Sequence, residues 1–198
     1  MWAIVTDNTI TKTLNNPKGM IIDDIQYSKK IFSLWSVSEK EAKGIYEVVF
    51  DNTNKKNEAY YNNTNQSFAF ADGVATASFG SATAKAHADT LFTSDDEDDG
   101  LGTEGEVKAE GLKTIRIRAL KSQAASELAR TDWYIVRKAD ANTAIPSAIT
   151  NHRAAVRTKC AEMETAITNA SNTAAIETLY TRDADGVRPL GDLPTLEV

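Results

Sequence analysis

ARTDWYIVRKADANTAIP, residues 129–146, sets Trp133 and Tyr134 among Arg130, Asp132, Arg137 and Lys138 and ends at Pro146. Thr131 and Asp132 are residue types that cap helix starts, so one helical segment is expected to end near Leu128 and another to begin at Trp133. The stretch then reads as a corner between helices, with Trp133 and Val136 turned inward and Arg137 and Lys138 projecting out. Its flanks agree. Upstream, Leu112, Ile115, Ile117, Leu120, Ala124 and Leu128 keep mostly 3–4 residue steps. Downstream, Pro146 suits a first helical turn, and Ile149, Val156, Cys160, Met163 and Ile167 mark one apolar stripe. Two amphipathic helices around a corner predict a helical hairpin over 112–180, with a short third helix at 172–180.

The first part of the chain reads as β structure. WAIVT and TITKTL flank Asp7-Asn8, IYEVVF and EAYYN flank DNTNKKN, and QSFAFA and VATASF flank Asp72-Gly73, which predicts three hairpins. Between them, Ser38 and Glu41 form a capping-box pair and Gly44 a helix stop, so SVSEKEAKGI predicts one short helix with Trp35 packed on it. The fold class is therefore α+β: a small antiparallel β-rich domain over 1–92, a linker over 93–111, the helical hairpin over 112–180, and an extended arm over 181–198.

The linker assignment rests on composition, because TSDDEDDGLGTEGEVKAEG is dense in acid and glycine. It also comes close to a calcium loop: Asp95, Glu97, Asp99 and Glu106 fall at loop positions 1, 3, 5 and 12, with Gly100 at 6. Position 3 departs from the pattern, Gly102 replaces the usual apolar residue at position 8, and AKAHADTLF is expected to be only a weak entering helix. A run of acids meets part of such a pattern by composition alone, so the solvated linker is the favoured reading and no cofactor is expected; calcium is the one alternative.

A chain of 198 residues, 41% hydrophobic and 25% charged, has the composition of a globular protein. Its net charge of −6 gives no positive field for nucleic acid. No apolar run reaches membrane-spanning length, no signal peptide is expected, and the single Cys160 fits a reducing compartment. Neither His87 nor His152 has a spaced metal or catalytic partner, and Cys160 lies on the apolar stripe, so no enzyme is expected. Lys113, Arg116, Arg118 and Lys121, with Arg153, Arg157 and Lys159, read as solvated helix faces.

The string over residues 128–160 resembles the C-terminal module of tailed-bacteriophage tail assembly chaperone and tail-fibre assembly proteins. Leu128, Thr131, Asp132, Trp133, Pro146, Arg153, Val156 and Arg157 carry the likeness, and His152 stands where the family usually has tyrosine. IFSLWSVSEKEAKGIYEV, residues 31–48, also looks like a phage segment, with its second acid displaced to Glu41. The resemblance implies a non-catalytic tail, baseplate or tail-fibre protein, in the virion or in the host cytoplasm during assembly. Its partners would be other tail proteins or further copies of itself. The alternatives are a transient fibre chaperone and a calcium-binding adaptor. Aromatic anchors carry such contacts, and the candidates are Trp2, Trp35, Tyr60, Tyr61 and Trp133, together with Arg137.

Overall fold

The computed structural model describes residues 1–64 and 66–196. The chain divides into two compact units, Met1–Thr83 and Ala84–Val198. The division falls before the acidic segment, so neither the 1–92 boundary nor the linker at 93–111 is what the structure adopts. The class is α+β as expected: an antiparallel-rich sheet lies in the first unit and the long helices in the second.

In the first unit, strands β1 (Trp2–Thr6), β2 (Thr9–Leu14), β5 (Ile45–Asp51), β7 (Ser67–Ala71) and β8 (Val74–Ser78) form one sheet in the order β2-β1-β5-β8-β7. Two of the three expected hairpins are present. Asp7 and Asn8 both take left-handed backbone, φ 48° and 58°, as do Asp72 and Gly73 at 51° and 77°, the geometry that matches the twist of paired strands. The third is absent. β5 instead pairs antiparallel with β1 and parallel with β8, and of EAYYN only Tyr61–Asn62 (β6) is extended. A small hairpin the sequence reading passed over, β3 (Met20–Ile22) with β4 (Ile25–Tyr27), turns at left-handed Asp23 and Asp24.

Edge strands β2 and β7 approach each other without backbone pairing, so the sheet curls. Alternation along the strands then gives two faces. The inner one packs Ala3, Val48, Ala75 and Ala77 with Phe68 and Phe70. Part of the outer one packs Ile45 and Leu14 against Ile31 and Phe32 of the short helix α1 (Ile31–Leu34). Helix α2 (Val37–Glu41) is capped by Ser36 with Glu39, not by Ser38 with Glu41. The sequence offers both frames, and the earlier one closes both reciprocal bonds: Ser36 N donates to Glu39 Oε2 at 2.7 Å and Glu39 N to Ser36 Oγ at 3.2 Å. Gly44 does take the left-handed conformation, φ 69°, and a Cβ there would lie 2.3 Å from the Val5 carbonyl oxygen.

Strand β9 (Thr83–Ala84) marks the boundary, and the second unit continues with β10 (Thr90–Leu91), α3 (Ser94–Asp98) and β11 (Val107–Ala109). No entering helix forms over 84–92. The acidic segment is folded: β10 pairs with β11, Thr93 and Asp96 make a capping box at α3, and Lys108 reaches Asp96 at 2.6 Å. Gly102 lies against the Phe92 ring so closely that a Cβ would sit 2.5 Å from it.

Helices α4 (Leu112–Ala129) and α6 (Ser147–Asn169) form the expected hairpin, and α7 (Thr173–Tyr180) the third helix. Asp89 caps α4 from a distance, accepting from Gly111 N at 2.7 Å and Thr114 Oγ1 at 2.8 Å, which holds its carboxyl below the usual range. Leu120, Met163, Ile167 and Leu190 make the core between the helices. The presence of Leu190 shows that the 181–198 segment is docked by its apolar side chains rather than being a free arm, although it has neither helix nor strand among its described residues. Lys121 pairs with Glu164 at 2.7 Å, Arg118 with Glu110, and Lys113 Nζ donates to the Thr168 carbonyl at 2.7 Å. The basic side chains of α4 thus answer groups beside them rather than the acids at 95–99. Among the described residues no helix is long and apolar enough to cross a membrane.

Candidate functional site

The corner is built by a ten-residue helix, α5 (Asp132–Ala141), closed by left-handed Asn142 at φ 50°. Thr131 stands at its start but does not cap it by side chain. Its Oγ1 instead donates back to the Leu128 carbonyl at 2.9 Å. The group that fixes the corner comes from α6. Arg153, 8% exposed, brings Nη1 to 2.8 Å from the Leu128 carbonyl, 2.7 Å from Thr131 Oγ1 and 2.8 Å from Asp132 Oδ1. A guanidinium taken out of water needs charged and polar acceptors, and these three supply them from the end of α4 and the start of α5. Leu128, Thr131, Asp132 and Arg153 are thus one assembly, although sequence reading had placed Arg153 on a solvated face.

This anchoring leaves α5 without a single buried residue. Trp133 is 51% and Val136 65% exposed, so neither turns inward as the sequence suggested. Trp, Tyr, Ile and Val occupy four consecutive positions and cannot share one face of a helix, while Arg153 has already fixed which side of α5 meets its neighbours. Trp133 and Tyr134 stack with ring centroids 3.8 Å apart, and the Arg137 guanidinium lies 4.6 Å over the first and 5.3 Å over the second. Arg137 therefore does not project freely. It covers the aromatic pair, as cations do over ring faces. Trp133, Val136 and Arg137 share a face at i, i+3 and i+4 spacing.

The remaining candidate anchors lie elsewhere and differ in access. Tyr60 and Tyr61 are buried, at 5% and 7% exposure, with Lys56 Nζ 4.7 Å over the Tyr61 ring. Trp35 is half-buried, edge-on to Tyr27 at 5.1 Å and packed against the cluster of Leu14, Ile31, Phe32 and Ile45. Trp2 is half-buried against Phe32 at 5.2 Å, with Lys40 Nζ 4.6 Å over its ring. Composition does not distinguish a core aromatic from a presented one.

The acidic positions do not converge as a calcium loop requires. Asp95 and Glu97 lie within α3, where successive residues turn by about 100°, so Glu97 faces away from Asp95 and Asp99. Asp96, not one of the four, is the best-bound acid, through Lys108 and Thr93. Among the described residues no group of three or more His, Cys, Asp or Glu side chains gathers at metal-holding geometry. His152 is buried beside Glu127, Nε2 to Oε1 3.3 Å, without the alignment of a hydrogen bond. Glu127 also accepts from Leu196 N at 3.1 Å. Cys160 is partly buried, and burial followed by repulsion from Glu164 raises its thiol pKa, the opposite of an activated nucleophile.

Comparison with known proteins finds no matching family model, no matching curated protein and no matching solved structure.

Proposed function

We propose that this chain is a non-catalytic protein-binding subunit of a bacteriophage tail, baseplate or tail-fibre apparatus, acting in tail assembly or fibre attachment and retained in the virion. The observation that carries the reading is the α5 corner: a buried guanidinium pins the helix start at Leu128, Thr131 and Asp132 while Trp133 and Val136 stay open to solvent. Support comes from two directions. The pinned residues and the arginine that holds them are among those on which the likeness to the tail assembly module rests, and an anchored helix presenting a half-exposed tryptophan has the composition of a contact hot spot. Pre-fixing the helix also lowers the ordering cost of binding.

Quantitative proteomics of purified virions tests the reading. Stoichiometric presence is the expected result. Absence from virions, with co-purification beside an immature fibre, replaces it with a transient assembly chaperone.

A further inference from the structure

The outer face of the sheet in Met1–Thr83 is only half covered. Trp2, Ile4 and Ile45 lie under α1 and the β3–β4 hairpin, in the cluster with Leu14, Ile31 and Phe32. Further along the same face the cover stops. Trp2 is the register partner of Glu47 across β1 and β5, Val49 follows two residues on, and Val49 pairs with Thr76 of β8, which places Val74 on that face as well. Val37 of α2 borders the same space. These residues line one hollow of about 180 Å³, with Glu41 and Glu47 also on its wall.

Val37, Val49 and Val74 are 63%, 55% and 45% exposed. Three valines from three separate elements around one concavity are an unpartnered apolar surface rather than scattered exposure. The solvent-exposed charge on its wall is of one sign. Glu41 and Glu47 are solvent-exposed and have no ion pair among the described residues. Lys40 also lines the hollow, but its Nζ is committed to the Trp2 ring and to the Phe32 carbonyl at 3.5 Å, and the residue is 9% exposed. The volume admits one aliphatic side chain, since a cavity of about 150 Å³ takes a benzene ring.

We infer that this hollow docks a partner segment presenting an aliphatic side chain flanked by lysine or arginine. The valines and Trp2 take the apolar side chain, and Glu41 and Glu47 take the flanking cations. The argument is charge complementarity on an apolar site, which together with this chain's own net charge of −6 makes the occupant a basic-apolar segment of another protein, a second copy being the competing outcome of the test. The inference concerns the first unit alone and stands whether or not the tail reading holds.

Three labelled heptapeptides test it on the full chain, read by fluorescence anisotropy and by amide chemical shifts. One has a Leu-Val-Leu centre between lysine pairs, one the same centre between glutamate pairs, and one a Ser-Ser-Ser centre between lysine pairs. The first should bind ~10-fold more tightly than either other, with shifts confined to residues around Val37, Val49 and Val74. Val49→Ser with Val74→Ser should remove that preference. Should that pair disturb the sheet, Glu41→Gln with Glu47→Gln alters only exposed side chains. It should weaken the lysine peptide ~3–10-fold and flatten its salt dependence. Equal or tighter binding of the glutamate peptide overturns the proposal, as does shift perturbation elsewhere or no binding at millimolar peptide. Self-association of the protein alone that the valine substitutions abolish also overturns it, by assigning the hollow to a second copy.

Discussion

Helices α5 and α6 stand on either side of Pro146 and are used in opposite ways. In α6 the apolar residues recur at helical spacing, and Ile149, Val156, Met163 and Ile167 are all buried. In α5 they are consecutive, and none is buried. Periodic spacing delivers every apolar group to one stripe, whereas a consecutive run spreads around the helix and must leave some outside. Helix α6 builds the unit, and α5 is carried by it.

The sharpest way to break this contrast is to substitute both helices and compare melting. Ile167 is fully buried, and Ile167→Ala should cost ~3 kcal/mol and lower the melting transition of the helical unit by ~10 °C. A loss below ~1 kcal/mol by calorimetry would mean that α6 is not the core element described. The polar join comes next. Arg153→Met should cost ~2 kcal/mol, because Thr131 loses a donor in a site closed to water while the half-exposed Asp132 is rehydrated. Amide exchange should quicken over α5 more than over α6, and equal quickening in both would deny Arg153 its role at the corner.

The same contrast explains what the sequence could tell. The α6 stripe was legible because periodicity is a property of the residues themselves. The turns at Asp7-Asn8 and Asp72-Gly73 were legible because left-handed backbone is a local demand that few residues meet. The parallel pairing of β5 with β8 was not, since register between distant strands depends on what the rest of the sheet leaves open. Nor was the direction of Trp133: a single buried arginine, twenty residues downstream of it, decides which side of α5 faces in. The acidic segment misled for a related reason. Its composition reads as solvated linker, whereas the β10–β11 pairing, the Lys108 and Thr93 bonds to Asp96 and the Phe92–Gly102 contact, each a particular pairing, fold it.

A smaller effect sharpens the comparison further. Trp133→Ala should change stability by no more than ~0.5 kcal/mol, since the ring is half in water and its ring contacts among the described residues are with Tyr134 and Arg137. On the tail reading the same substitution should remove binding to the tail partner by pull-down with purified proteins. A destabilisation equal to that of Ile167→Ala would put Trp133 in the core and erase the difference between the helices.

The smallest expected effect lies in the acidic segment, where a lysine–carboxylate pair joins α3 to β11. Lys108, and then the Thr93 backbone, hold the Asp96 carboxyl down to about 2. The folded-state pKa therefore lies below the unfolded value of about 3.9. The contribution of the carboxylate is fully present above about pH 4 and is lost as pH falls toward 2. Amide signals of Thr93 and Asp96 should accordingly show a transition centred near pH 2 that those of Val156 and Ile167, buried on the apolar stripe of α6, do not share until the unit unfolds. Asp96→Asn should remove that transition, because the amide does not titrate and forms no ion pair with Lys108. If α3 and α6 instead titrate together in the unsubstituted protein, the acidic segment is held by the helical core, and its capping box and lysine bridge are incidental to its fold.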